Sequence, residues 1–387
     1  MSSDFPRNPD LSVDHRNLAA WNTPERRRDG FRRLPVLHRR GLTLRAGRVL
    51  PLAVDIDRHI GDLPALRRLT GAAAFCGMTV ARGDRLVFER YAPDFGPDMV
   101  HAIQSITKTT SHLIVGRLIE DGLIDPTLPI AHYLPEIGSG YAGATVQQAL
   151  DMDLSNNFEE DYVAPYAPAP APGEPVGYGR EEIAMGWRLP PPGEAEFGVR
   201  DFAARLTSEN TANTSGVTQY KSANTDVLGW IAESVSGRPL TAFLDAIVNG
   251  AGLAGAFHVS LDCEMVPVLS GGGAMTARDL ARYGLLLARK GRGIDGRTIG
   301  SAAFIEDSMS GAGSRYQRPD GPLRYRNQLF AGGPWIGHAG YAGQFLMARP
   351  DKQAAAAFFS VLEDEGGHSD DYFGEIIAML EEVLELS

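Results

Sequence analysis

HAIQSITKTTSHLIVGRLIEDG, residues 101–122, is the stretch from which the rest of the chain can be read. Ile106, Leu113, Ile114, Leu118 and Ile119 recur at helical spacing, and Gly122 stands where a helix C-terminal cap is expected. The polar tetrad Ser105-Ile106-Thr107-Lys108 therefore opens a helix, and Ser105 and Lys108, three residues apart, share one face of it. A serine at a helix start is most simply an N-cap. Against that reading, a cap is favoured by Glu or Gln three residues on, whereas here a cation occupies the first turn. The helix dipole disfavours a cation there by roughly 0.3–1 kcal/mol.

Lysine occurs only at positions 108, 221, 290 and 352, and arginine supplies the remaining positive charge. The choice matters chemically. An arginine at 108 could not release its proton, whereas a lysine near a positive helix end and partly buried can. A lysine of this kind activates a neighbouring hydroxyl, and a helix N-terminus supplies N–H groups for an oxyanion. Ser105 is then a candidate nucleophile and Lys108 its proton partner.

A chain of 387 residues suits two lobes around a sizeable core, and a net charge of −11 from dispersed acidic residues argues against nucleic acid as a partner. The N-terminal segment MSSDFPRNPDLSVDHRN lacks an apolar leader, and no stretch approaches the roughly 18 apolar residues of a membrane span, so the expectation is a cytoplasmic protein away from membranes. Cys76 and Cys263 are too far apart in sequence to suggest a disulfide framework or a zinc site; each reads as a small core residue. Residues 1–72 read as an N-terminal extension without chemistry, and its basic run ERRRDGFRR (25–33) as a solvated face.

From Ala74, AFCGMTVA and RLVFERYA flank Arg82-Gly83-Asp84 as a β-hairpin, and ATVQQALDM (144–152) is a short helix. Residues 161–200 alternate Pro, Gly, Tyr and acidic residues, as in YAPAPAPGEPVGYGREE (166–182). A loop of this length is either a lid offering Tyr162, Tyr166, Tyr178, Glu182 or Trp187 to a substrate, or a Pro-rich surface excursion. QYKSANTDVLGWIAESVSG (219–237) turns helical from Ala223 and ends at Gly237, with Tyr220, Lys221 and Ser222 as a polar turn before it. Beside lysines, the Tyr220 phenol should titrate lower than usual and serve as a second proton carrier.

Gly271, Gly272 and Gly273 either admit close backbone approach or make a turn. Gly291-x-Gly293-x-x-Gly296 follows a helix rather than a strand, which rules out a dinucleotide fingerprint. No Gly-x-Ser-x-Gly elbow, His-Glu-x-x-His or P-loop is present. YRNQLFAG, WIGHAG, GQFLMARP and AAAAFFSVL (from 325) read as successive antiparallel strands, and DYFGEIIAMLEEVLEL (371–386) as a closing amphipathic helix. His338-Ala339-Gly340 ends one strand, followed by Tyr341 and Gly343, where backbone can approach a ligand.

Ser105-Ile-Thr-Lys108, Tyr220-Lys-Ser222 and His338-Ala-Gly340, in this order, resemble the serine β-lactamase and penicillin-binding superfamily. YKSANTDVLGW, TARDLARYG and EDYVAP look more specifically like its 6-aminohexanoate-dimer hydrolase branch and the related esterases. The resemblance implies an α/β (α+β) fold of the β-lactamase/transpeptidase type: an antiparallel sheet flanked by helices, with a mostly helical lobe inserted. Residues 73–104 and 255–387 would form the sheet lobe and 105–254 the helical lobe, with a lid at 161–200. It implies catalysis by Ser105, Lys108 and Tyr220 and an oxyanion hole from the backbone N–H groups of Ser105 and Tyr341. Tyr162, Glu182, Trp187, Ser222, His338 and Gly340 would contact substrate. The activity implied is that of a serine hydrolase, free of metal and cofactor, cleaving a small-molecule ester or linear amide through an acyl-enzyme; a homodimer is compatible with it. Ser222 and His338 stand where lactamases carry Asn and Lys, which moves the expectation from β-lactams toward esters and amides. The alternatives are a weak class C-type β-lactamase or D-aminopeptidase, and a ligand-binding member of the fold that does not turn over.

Overall fold

Strands Phe75–Arg82 and Arg85–Tyr91 turn back on each other at Gly83, whose φ of +59° suits glycine. In the computed structural model, which describes residues 21–162, 174–317 and 321–386, this hairpin joins the C-terminal strands in one nine-stranded sheet. From one edge the strands run Ser314–Arg315, Arg324–Arg326, Leu329–Ala331, Ile336–Gly340, Gln344–Arg349, Ala354–Ser360, then the hairpin and Ala53–Val54. Every pairing is antiparallel except that of Ala53–Val54 at the far edge.

Alternation along Ala354–Ser360 divides the core. Ala355, Ala357 and Phe359 share a cluster with Leu280 and Ala281 of the helix Ala277–Ala288. Ala354, Ala356 and Phe358 share another with Met379, Leu380 and Val383 of the helix Asp370–Leu386. The alanine run lets the first helix lie close, since a Cβ added to Gly284 would come within 2.7 Å of Ala355 Cβ. Helices on both faces bury the sheet, each large apolar side chain contributing about 1.5–3 kcal/mol.

A second, four-stranded sheet orders Gly41–Arg45, Ala256–Ser260, Gly273–Thr276 and Val100–Ala102. Its strands are short and come from three distant parts of the chain, so no local pattern announces it. The helix Arg27–Leu37 corrects the reading of 25–33 as a solvated face. Phe31 and Leu34 are buried, and so is Arg27, at 1% exposure. Arg27 Nη1 donates to the Leu362 and Asp364 carbonyls at 2.5 and 2.9 Å, and its guanidinium lies over the Tyr341 ring. Arg28 donates to the carbonyls of Ala73, Ala74 and Phe75, and both Arg28 and Arg32 pair with Asp94. Arginine forks satisfy backbone carbonyls while their stems cover apolar surface, so this basic run fastens the N-terminal helix to the core.

The helix Lys108–Glu120 packs beside the larger sheet, Ser222–Ser236 packs on that helix, and Leu240–Ala251 lies against the strand Gly41–Arg45 of the smaller sheet. Gly237, in the left-handed conformation, ends the second of them. Thr145 and Gln148 form a capping box on the short helix Val146–Leu150. The described part of the proline-rich segment forms the helix Tyr178–Ala184, whereas Tyr166 lies outside the described residues. Among the described residues no helix is long and apolar enough to cross a membrane.

Candidate active site

Ser105 stands in a turn held from both sides. Ile103 N donates to Gly273 O at 2.9 Å, and Gln104 then takes a left-handed φ of +49° that leads into the 3-10 turn Gln104–Thr107. A non-glycine residue held there costs on the order of 1–3 kcal/mol and is kept only where its surroundings force it. Thr107 does much of the forcing: its hydroxyl donates to Gln104 O at 2.6 Å and accepts from Gly273 N at 3.0 Å. Gly273 must be glycine, because a Cβ would lie 2.6 Å from Thr107 Oγ1, so the glycine cluster provides close backbone approach. The α-helix proper begins at Lys108 and has no side-chain cap, so the N-cap reading of Ser105 does not hold.

Lys108 is fully buried. Its Nζ donates to Ser105 Oγ at 2.9 Å, Ser222 Oγ at 2.8 Å and Ser270 O at 2.5 Å. Burial lowers its pKa from the ordinary 10.5, opposed by the negative charges of Glu160, Glu181 and Asp226. Ser270 is fixed in turn by Asp226, its Oγ donating to Oδ2 at 2.7 Å. Buried without a full charge partner, the Asp226 carboxyl is pushed up to about 7.

Tyr220 places its ring 5.0 Å from Lys108 Nζ and lines the same cavity as Ser105. Its phenol departs from the expected behaviour: burial drives its pKa well above 10, and a hydrogen bond with Ser105 opposes this only in part. Desolvation outweighs the nearby lysine, so Tyr220 holds its proton. Ser222 Oγ donates to Glu160 Oε1 at 2.8 Å and Ser222 N to Oε2 at 2.5 Å, while the Tyr162 hydroxyl also donates to Glu160. Lys221 points away, its Nζ donating to Phe158 O.

The strand Ile336–Gly340 borders the turn. Its neighbour Leu329–Ala331 pairs only Ile336 and Gly337, leaving the 338–340 end toward Ser105. The cavity enclosed, about 440 Å³, is lined by Ser105, Glu160, Tyr162, Tyr220, Gly340 and Tyr341, and farther out by Phe330, His368 and Phe373. His338 is not among the lining residues. Its imidazole is fully buried, 3.1 Å from the Tyr325 hydroxyl, and desolvation lowers its pKa to about 3, so the expected substrate contact is not made by this ring. Trp187 and Glu182 also lie elsewhere. With Trp21, Gln104 and Tyr178 they line an adjoining cavity of about 270 Å³, separated from the first by the Tyr162–Tyr341 ring pair at 5.1 Å. Trp187 Nε1 donates to Ser260 and Glu182 pairs with Arg188.

Thr107, Glu160, Asp226, Glu181 and Ser270 escaped the sequence reading. Glu160 and Asp226 stand inside the motifs EDYVAP (160–165) and YKSANTDVLGW (220–230), and Thr107 inside the tetrad 105–108, but none of them received a role there. No cluster of metal-ligating side chains occurs among the described residues.

With this geometry in place, residues 56–377 match the β-lactamase family. The chain belongs to that family. It is a hydrolase of the serine β-lactamase type, and the antiparallel sheet with flanking helices is the family fold. A 6-aminohexanoate-dimer hydrolase of Paenarthrobacter ureafaciens is 32% identical over 321 residues, covering 81% of this chain and 77% of that one. A Bacillus anthracis chain described as a candidate 6-aminohexanoate-dimer hydrolase superposes over 98% of both chains with a TM-score of 0.77 at 19% identity. A family VIII carboxylesterase superposes over 84% of this chain and 96% of its own with a TM-score of 0.56 at 16% identity.

Proposed function

We propose that this β-lactamase-family hydrolase cleaves a carboxylic ester or linear amide through an acyl-enzyme, with Ser105 as nucleophile. The observation that carries the reading is the convergence of Ser105, Lys108 and Tyr220 on one cavity, with the lysine 2.9 Å from the serine hydroxyl.

Neutral Lys108 takes the Ser105 proton as Oγ attacks the carbonyl carbon. The N–H groups of Ser105 and Tyr341 receive the oxyanion, each such donor typically contributing roughly 3–4 kcal/mol to lowering the barrier. Tyr220, which retains its proton, gives it to the departing amine or alcohol, and the proton held by Lys108 restores the phenol. Water then attacks the acyl carbon, with the same groups returning the proton to Ser105. Tyr162 and Gly340 border the acyl group, while Glu182 and Trp187 receive whatever reaches past the tyrosine pair. Ser222 orients Lys108, and His338 supports the strand from within. The division into a sheet lobe and a helical lobe, with the groove between them as the site and 161–200 as a lid, belongs to the same proposal.

The cavity wall favours esters and amides over β-lactams. Among its described lining residues Glu160 and Asp161 are acidic, and none is Lys or Arg to meet a β-lactam carboxylate. The 6-aminohexanoate dimer enters as a candidate substrate from the 32%-identical relative.

The test compares hydrolysis of p-nitrophenyl butyrate, nitrocefin and 6-aminohexanoate dimer by wild type and Ser105→Ala. Cleavage by wild type alone supports the nucleophile, and the preferred substrate assigns the branch. Equal rates for the two proteins would overturn the assignment.

A further inference from the structure

Lys108 Nζ is enclosed, and its three acceptors are Ser105 Oγ, Ser222 Oγ and Ser270 O. The Ser105 branch is occupied by the acyl group during half of any acyl-enzyme cycle. The Ser270 branch ends in a main-chain carbonyl, which takes no proton. The Ser222 branch differs, because its hydroxyl accepts from Lys108 at 2.8 Å and donates to Glu160 Oε1 at 2.8 Å. Glu160 in turn lines the catalytic cavity and is partly exposed, so a hydrogen-bonded path runs from the buried lysine to the cavity without passing through the nucleophile.

We propose that Glu160 is a positioning residue for catalysis, serving through Ser222 as the counter-charge of protonated Lys108 and as the far end of a proton relay between that lysine and the cavity. The inference rests on the reading of Ser105 as nucleophile and Lys108 as its base, and it adds a route and a carboxylate that the Ser-Lys-Tyr set does not contain. In the relay, one N–H bond of Lys108 breaks as the proton passes to Ser222 Oγ, and the Ser222 O–H bond breaks as its proton passes to Glu160 Oε1. Ser222 ends as it began, Lys108 becomes neutral and Glu160 becomes the acid; the reverse transfer recharges the lysine.

Glu160 is well placed for both parts. Its Oε2 is held by Ser222 N at 2.5 Å, so the carboxyl plane is fixed by the turn that carries Tyr220 and Ser222. Its Oε1 also accepts from the Tyr162 hydroxyl, so the same oxygen touches a residue of the proline-rich segment. Other charged and titratable groups face Lys108 from the surrounding elements. Glu181 comes from the helix Tyr178–Ala184, Asp226 from the helix Ser222–Ser236, Tyr220 from the preceding turn and His338 from the bordering strand. Glu181 is 1% exposed with no hydrogen-bond partner on either oxygen, and burial beside Glu160 and Asp226 raises its pKa well above the carboxylate range. Asp226 is raised to about 7 and His338 lowered to about 3, both chiefly by burial, and the phenol of Tyr220 is raised. Among the charges that sustain the protonated lysine, that of Glu160 acts most strongly.

The sign of the effect follows. Glu160 raises the Lys108 pKa, so removing its charge lowers that pKa and lets the lysine act as a base in more acidic solution. In Glu160→Gln the acidic limb of kcat/KM should move toward lower pH by about one unit, while kcat at the optimum falls about tenfold or more because the relay is cut. Ser222→Ala, which removes only a hydroxyl, should move the limb in the same direction and lower kcat similarly. A carboxylate that merely braced Tyr162 would raise KM and leave the limb where it is, as Tyr162→Phe should. The experiment is the pH profile of kcat and kcat/KM for wild type, Glu160→Gln, Ser222→Ala and Tyr162→Phe on an ester that wild type hydrolyses, with Ser105→Ala alongside. Limbs unmoved in both Glu160→Gln and Ser222→Ala, with Ser105→Ala inactive, would overturn the relay alone. Activity surviving in Ser105→Ala would overturn the underlying assignment instead. If Glu160→Gln does not fold, Ser222→Ala decides the matter by the position of its limb.

Discussion

Gly340 lies against the carbonyl of Ile103 so closely that an added Cβ would stand 2.4 Å from its oxygen. Strand and nucleophile turn therefore touch through bare backbone, and the distance from Tyr341 to Ser105 is set by the absence of one methyl group. Gly340→Ala should push the strand end from the turn and lower kcat/KM about 100-fold through the oxyanion site. The variant should keep its far-UV circular dichroism, and a catalytic constant within twofold of wild type would contradict this coupling.

Thr107 holds the other side of the same turn. Thr107→Val keeps the shape and removes the bonds to Gln104 O and Gly273 N. Losing them leaves buried main-chain groups without partners, for an expected loss of about 1–3 kcal/mol in unfolding free energy. A drop in kcat should accompany it, because Gln104 loses the support for its left-handed φ. Urea unfolding and steady-state kinetics together check both outcomes.

Lys108, as the proposed base, should set a pH limb. Its folded pKa is lowered by burial from 10.5, so the neutral base is lost as the pH falls through that lowered value, and kcat/KM should decline on acidification with a midpoint below 10.5. Lys108→Arg should be inactive at every pH, since a guanidinium does not give up its proton. A wild-type rate constant from pH 5 to 10 would sink the base assignment.

His338 is a matter of stability. Its folded pKa, about 3, lies below the ordinary 6.5, so the unfolded chain binds a proton between these values that the folded chain does not. Wild type therefore loses this part of its stability as pH falls below 6.5. Replacing His338 by Gln should cost about 1–3 kcal/mol at pH 7 through the Tyr325 bond. At pH 5 the gap from wild type should narrow by about 2 kcal/mol, because the variant has no imidazole to protonate. Unfolding curves at the two pH values decide it; a gap that does not change with pH rules it out.

Arg27 joins the N-terminal helix to the rim of the cavity. Arg27→Met should lower the melting temperature and raise KM, because the carbonyls of Leu362 and Asp364 lose their donor and Tyr341 its stacked cation. The acidic limb should stay in place, since Arg27 does not face Lys108. A shifted limb would show that the clamp reaches the lysine.

The larger sheet was legible because its strands are local: Phe75–Tyr91 is one hairpin, and the C-terminal strands succeed one another with short turns. The second sheet was not, because Gly41–Arg45 and Val100–Ala102 find partners far along the chain and each is too short to show a period. Ser105 and Lys108 stood out through helical spacing and the scarcity of lysine. Glu160 and Asp226 did not, since a single carboxylate carries no period and its importance arises from which serine it meets. The Tyr220 phenol departs from its expectation for a related reason, as neighbouring charge is visible in sequence and desolvation is not. The burial of Arg27 is not legible, because a run of arginines looks the same whether its forks meet water or carbonyls.

The Tyr162–Tyr341 pair stands between a chamber holding Ser105 and one holding Glu182 and Trp187. A two-room site with a shared wall makes chain length a selectable property separate from reactivity. On the proposed function, short acyl groups would fit with the wall closed and longer ones would have to swing a ring aside, so resizing a tyrosine would retune the range of substrates while the bond-breaking groups stay untouched.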